Sequence, residues 1–171
     1  MNVLTGSLLI VFGSSAETSD FWADCLALWW KRSKKDRSGI KRLMIRLDNG
    51  PCCASNRRQW IKRLLGFADK TGVEIQLVHC PPYHSKYNPI ERVWGILEEH
   101  WNGTLLTTLK VAMHWASTMT WNGVCPEVLQ IDKTYEKGVT ISDKEWAQLQ
   151  TRLERSPTLP KWDVLIKPMP K

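Results

Sequence analysis

The chain has 171 residues, 43% of them hydrophobic, with ten tryptophans and a formal net charge of +7. That length holds one ordinary domain with a sizeable core, and the apolar content excludes a disordered chain. No apolar run approaches the roughly 20 residues that span a bilayer, and no basic stretch precedes the short apolar segment at 8–12, so neither a membrane protein nor a signal peptide is expected and the reading is cytoplasmic.

Leu8–Phe12 (LLIVF), closed by Gly13, predicts a short buried strand. Thr18 or Ser19 can cap a following helix, on which Phe21, Cys25, Leu28 and Trp29 fall on one face. Trp22, Leu26 and Trp30 widen that stripe, so the Trp29-Trp30 pair reads as core. A basic linker with Gly39 leads to Lys41–Leu47, where Leu43, Ile45 and Leu47 alternate as in a strand, and Asp48-Asn49-Gly50-Pro51 ends it with turn formers. Ser55 or Asn56 can cap a second helix with Trp60, Leu64, Phe67 and Ala68 inward and Gly72 as its stop. Val73–His79 alternates as another strand and ends at Pro81-Pro82. A third helix is expected from Asn88, with Pro89 in its first position and Ile90, Val93, Trp94, Leu97 and Trp101 as its stripe.

This alternation predicts an α/β domain with parallel pairing. The remainder reads as an extension. Leu105–Ala116 marks a helix closed by Asn122-Gly123, and Val128–Tyr135 a strand. Ser142-Asp143-Lys144-Glu145 is a capping box opening a helix through Leu153, and Trp162–Ile166 is a final strand.

The five cysteines form no CxxC pair, so free thiols are expected rather than a disulfide framework. Between Lys31 and Arg46 stand eight Lys or Arg against the single acid Asp36. A second cluster, Arg57, Arg58, Lys62 and Arg63, follows. Two such clusters favour a polyanion partner through counterion release, with solvated helix faces as the plainer alternative. Lys34, Lys35, Arg37, Arg57, Arg58, Lys86 and Arg92 are the candidate DNA contacts.

Asp48 directly follows a predicted parallel strand, where α/β sheets gather their sites; the plainer reading is an Asx-turn. Glu91, three residues after Asn88, can complete a capping box or present a metal ligand. Together they would stand at one edge of one sheet. Paired carboxylates there suit two-metal phosphoryl transfer, because hard divalent ions prefer carboxylate oxygen. Glu98, two turns on, is expected to point elsewhere.

LDNGP at 47–51 and PPYHSKYNPIERVWG at 81–95 resemble signature blocks of DDE transposases, which carry a ribonuclease H-like catalytic core. The closer resemblance is to the Rhodopirellula-type transposase DDE domain, a bacterial insertion-sequence family. It extends to Trp29-Trp30, Glu99–Gly103, MTWNG at 119–123, TYEKGV at 134–139 and LERSPTLPKWD at 153–163. The resemblance implies that Asp48 and Glu91 are metal-binding catalytic residues using Mg²⁺ or Mn²⁺ in a cut-and-join reaction on DNA. It divides the chain into a partial ribonuclease H-like core at 1–103 and a small α/β extension at 104–171.

DDE enzymes carry a further aspartate on the first strand of the core. Before Asp48 this chain offers only Asp20, Asp24 and Asp36, none within an apolar strand. The expectation is therefore the carboxyl-terminal part of a transposase, inactive alone, with an open edge along Leu43–Leu47 that promotes self-association. Two other readings compete. One is a DNA-binding remnant without catalysis, with Tyr83 or Tyr87 stacking on bases. The other is a zinc module from Cys52, Cys53, His79, Cys80 and His84, whose spacing matches no zinc ribbon or finger.

Overall fold

The computed structural model describes residues 1–33, 37–81 and 87–170. Among them lie, in chain order, β1 (Leu9–Gly13), α1 (Ser19–Arg32), β2 (Arg42–Leu47), α2 (Arg58–Thr71), β3 (Glu74–His79) and α3 (Ile90–His100). There follow α4 (Leu109–Thr118), β4 (Glu127–Ile131), α5 (Asp143–Gln150), β5 (Leu153–Arg155) and β6 (Asp163–Ile166). The fold is mixed α/β, with five helices and two sheets among the described residues. It forms two compact units interleaved in sequence: Met1–Ala16 with Lys86–Thr134, and Glu17–Ser85 with Tyr135–Lys171.

In the smaller unit β1 pairs with β4 in parallel, from Leu9 opposite Glu127 to Gly13 opposite Ile131. The alternating pattern predicted parallel pairing without naming partners; β1 pairs with β4 in a two-stranded sheet of their own and not with β2 or β3. Its apolar side chains explain the choice. Leu8 and Ile10 are buried with Val93 and Leu97 of α3 and with Ala116 and Met119 at the end of α4. Thr108 caps α4, its hydroxyl accepting from the Val111 amide.

The larger unit holds a four-stranded sheet in the order β2-β3-β6-β5. β2 and β3 are parallel as expected, and β6 joins antiparallel to both β3 and β5. Period-2 alternation sends Ile75 and Leu77 of β3 and Val164 and Ile166 of β6 to one face. There they meet Trp60, Ile61, Leu64, Leu65 and Ala68 of α2 in one core. Each buried Leu, Ile or Val among them contributes about 1.5–3 kcal/mol on burial. Gly72 ends α2 in the left-handed region at φ 73°, its amide bonded to the Ala68 carbonyl, as the sequence predicted. Ser55 and Asn56, expected to cap α2, do not: Arg57 holds that position without a side-chain bond.

α1 packs on α2, with Trp30 edge-on to Phe67 at 5.7 Å between ring centroids and 6.0 Å from Trp29. The capping box at Ser142 opens α5, its hydroxyl accepting from the Glu145 amide. α5 stops at Gln150, short of the expected Leu153. Arg152 engages the Asp69 carboxylate through both guanidinium nitrogens, and Leu153 pairs with Ile166 in β5. β2 has β3 as its one neighbour, so its other edge carries no strand among the described residues.

Candidate functional site

Asp48 stands where the sequence placed it, one residue beyond β2. Leu47 is 7% exposed and anchors the strand end, while Asp48 is exposed. The Cys80 amide donates to the Leu47 carbonyl at 2.8 Å, so the carboxyl ends of β2 and β3 stay together beneath it. The chain then turns back: the Cys53 amide donates to the Gly50 carbonyl at 3.2 Å. This brings the Cys53 thiol to 3.5 Å from Asp48 Oδ1. Burial, with the Asp48 charge as the next contribution, pushes the Cys53 thiol up to about 12. It is therefore a neutral S–H that donates to the carboxylate at ordinary pH.

His79, the last residue of β3, is 3% exposed, and its Nε2 lies 3.0 Å from the Cys53 carbonyl oxygen. A carbonyl only accepts, so Nε2 carries the proton. Nδ1 is buried without a hydrogen-bond partner among the described residues. Burial lowers the pKa of this imidazole, and it is neutral.

Glu91 lies in the first turn of α3, exposed, and among the described residues its carboxylate makes no hydrogen bond or ion pair. The capping box is not formed. Pro89 occupies the cap position with no side-chain bond, and the Glu91 amide bonds to the backbone carbonyl of a buried Asn88. Glu98 does not point elsewhere: seven residues are two helical turns less about 20°, so it shares the Glu91 face about 10 Å along the axis. Both are exposed, while Val93 and Leu97 are buried.

Asp48 belongs to the larger unit and Glu91 to the smaller. Asp20 and Asp24 are not available in the same way. Arg63 reaches both at 2.5 Å, Gln59 donates to Asp20, and the Tyr135 hydroxyl donates to Asp24 at 2.8 Å. These two aspartates tie α1 to α2.

The second basic cluster is largely committed to the protein itself. Arg58 bonds Asp143 at 2.6 Å and lies over the Trp146 ring, and Lys62 pairs with Glu145 at 2.8 Å. These contacts and the Arg63 pairs join α2 to α5 and α1. Arg57 and Arg92 are exposed, and the Arg37 guanidinium stacks over Trp30 at 5.3 Å. Lys34, Lys35 and Lys86 lie outside the described residues, as do Tyr83 and His84. Tyr87 is 62% exposed.

Asp48 and Glu91 offer hard oxygen donors that no arginine or lysine neutralises among the described residues, and this donor chemistry fits Mg²⁺ or Mn²⁺. The number of donors is small: no three His, Cys, Asp or Glu side chains gather into a metal-holding group among the described residues. No described helix is long and apolar enough to cross a membrane.

A family model described as the Rhodopirellula transposase DDE domain matches residues 1–168. The chain belongs to that family. No curated protein and no solved structure matches it. As a DDE transposase domain it joins proteins that act on DNA and generally use divalent metals. Within this member of the family, Asp48 lies at the end of a parallel strand and Glu91 opens a helix. Cys53 and His79, which sequence reasoning did not connect to Asp48, complete its surroundings. Nothing in the local pattern could have singled them out, because the contacts depend on how the turn folds back.

Proposed function

We propose that this chain is the catalytic-domain part of a DNA transposase with a ribonuclease H-like core, in which Asp48 and Glu91 are the metal-binding carboxylates. The observation that carries the reading is an exposed, unneutralised Asp48 at the carboxyl end of a parallel strand, in a chain matched to the family over residues 1–168. Residues 1–103 correspond to the partial core and 104–171 to the extension, a division by sequence that both compact units cross.

Asp48 and Glu91 would hold Mg²⁺ or Mn²⁺. The metal, when bound, supplies charge stabilisation to the attacking and leaving oxygens of an in-line displacement at phosphorus. Asp48 and Glu91 contribute fixed negative oxygens, and the neutral Cys53 thiol orients the Asp48 carboxylate without competing as a thiolate. Arg57, Arg92 and the Lys31–Arg46 region, with Lys34, Lys35 and Arg37, bind the DNA backbone, and Lys86 adds to them. The open edge of β2 supports self-association. The protein acts on DNA in the bacterial cytoplasm.

β1 reads LIVFG and brings no carboxylate, and Asp20 and Asp24 are held by Arg63, so Asp48 and Glu91 are the two acids this reading uses. On this reading the 171 residues by themselves bind DNA without cutting it. A non-catalytic DNA-binding remnant is the second reading, favoured by the commitment of Asp20 and Asp24 to Arg63.

The test is a nicking assay with Mg²⁺ or Mn²⁺ beside a DNA-binding assay at low salt. The expected result is binding without cleavage. Cleavage abolished by Asp48→Asn and Glu91→Gln would show that the chain holds a third ligand. Absence of binding at low salt would remove the DNA reading of the basic surface.

A further inference from the structure

The stretch from Asn49 to Asn56 has the composition of a loose turn, yet its backbone is braced from three sides. The Cys52 carbonyl accepts from the Ser19 hydroxyl of α1 at 2.7 Å. The Cys53 carbonyl accepts from His79 of β3 at 3.0 Å, and the Ser55 carbonyl from Arg155 of β5 at 2.8 Å. Two further bonds close the loop on itself: Cys53 amide to Gly50 carbonyl, and Ser55 amide to the Asn49 side-chain oxygen at 3.1 Å. Ser19 and His79 are each 3% exposed.

We propose that Ser19, His79 and Arg155 are positioning residues for Asp48, holding the 52–55 backbone so that the Cys53 thiol stays against the Asp48 carboxylate. The inference rests on the reading of Asp48 as a metal ligand and adds the groups that fix it. His79 makes the strongest case. Leucine would fill much of the same buried space without leaving a ring nitrogen unpaired, and Nε2 of the imidazole ring is committed to the loop. Three donors from three elements determine the loop backbone more tightly than its own turn bonds would. A metal ligand held this way loses less freedom on binding.

The experiment uses the whole 171-residue chain and compares Ser19→Ala, His79→Leu and His79→Gln. Hydrogen exchange at the Cys53 and Ser55 amides reports on the loop, and Mn²⁺ affinity by electron paramagnetic resonance reports on the ligand. His79→Leu and Ser19→Ala are expected to speed exchange at both amides with α2 unchanged, and to weaken Mn²⁺ binding about tenfold. His79→Gln, whose amide nitrogen reaches the place of Nε2, is expected to restore most of both.

Unchanged exchange at Cys53 and Ser55 in a folded His79→Leu protein overturns the proposal. Faster exchange with unchanged Mn²⁺ affinity also overturns it, because the bonds then serve the fold alone. Should His79→Leu not fold, Ser19→Ala, which removes one hydroxyl, carries the same comparison. Asp48→Asn separates the two levels. If it leaves Mn²⁺ affinity unchanged while the loop effects stand, the metal reading fails and the bracing of the loop remains.

Discussion

The thiol of Cys53 lies 3.5 Å from the carboxylate of Asp48, and the backbone carbonyl of the same cysteine accepts the His79 imidazole. One residue thus links the exposed acid to the buried end of the neighbouring strand. Each link is a neutral hydrogen-bonding group.

Cys53 is expected to resist alkylation. A thiol held at about 12 and 2% exposed has only about one part in ten thousand as thiolate at pH 8. Cys125 is exposed and should react first. Iodoacetamide labelling followed by peptide mass spectrometry checks this: labelling of Cys53 in the folded protein at the rate of Cys125 would contradict it.

Stability should fall as the solution is acidified below the ordinary histidine value of 6.5. Burial lowers the His79 pKa, so the unfolded chain takes up a proton near 6.5 while the folded chain resists until lower pH. The stabilisation is complete above 6.5 and is lost as pH falls through the depressed folded value. Urea unfolding at pH 7.5 and 5.0 measures it, and His79→Gln should flatten the dependence.

DNA affinity should separate the arginines by their partners. Replacing exposed Arg57 or Arg92 with alanine is expected to weaken binding and lower the salt slope by about 1 each. Lys62→Ala, which removes the pair with Glu145, should leave the slope unchanged. Fluorescence anisotropy across a salt series reads both. Equal losses for all three would mean that the α2 cluster faces DNA after all.

The Arg63 fork should matter for stability and not for metal. Arg63→Ala removes the guanidinium that Asp20 and Asp24 share, and with Arg63 one-third exposed a cost of about 1–3 kcal/mol is expected. Asp24→Asn should leave Mn²⁺ affinity as it is. Thermal melts and metal titration distinguish these roles. In the core, Leu64→Ala should cost about 2–5 kcal/mol by the same melts, since Leu64 is fully buried.

Much of the larger unit could be read from local pattern. Alternation gave β2 and β3, the 3.6-residue stripe gave α2, and turn formers put Asp48 at a strand end. Long-range choices were not readable. β1 is a short apolar run with no mark of its partner, and it pairs with a strand from beyond α4. Arg58, Lys62 and Arg63 look like a basic face in sequence because their acids are contributed by α1 and α5. The capping motif at Asn88 fits the local rule, but Asn88 is buried and takes no part in a side-chain cap. The α5 boundary was misplaced because a strand pairing and an ion pair to α2 outweigh helix propensity at 152–153.

The parallel pair of β1 and β4 also has a cost during synthesis. At its end Ser14 bonds Asp132, a residue 118 positions later in the chain. At about 5–20 residues per second a ribosome needs about 6–24 s to deliver the second strand after the first. For that interval Leu8 and Ile10, buried in the finished protein, have no β4 to pair with and no α4 to cover them. The nascent chain must keep an apolar strand from binding its neighbours on the polysome, which makes β1 the segment a ribosome-bound chaperone would be expected to shield.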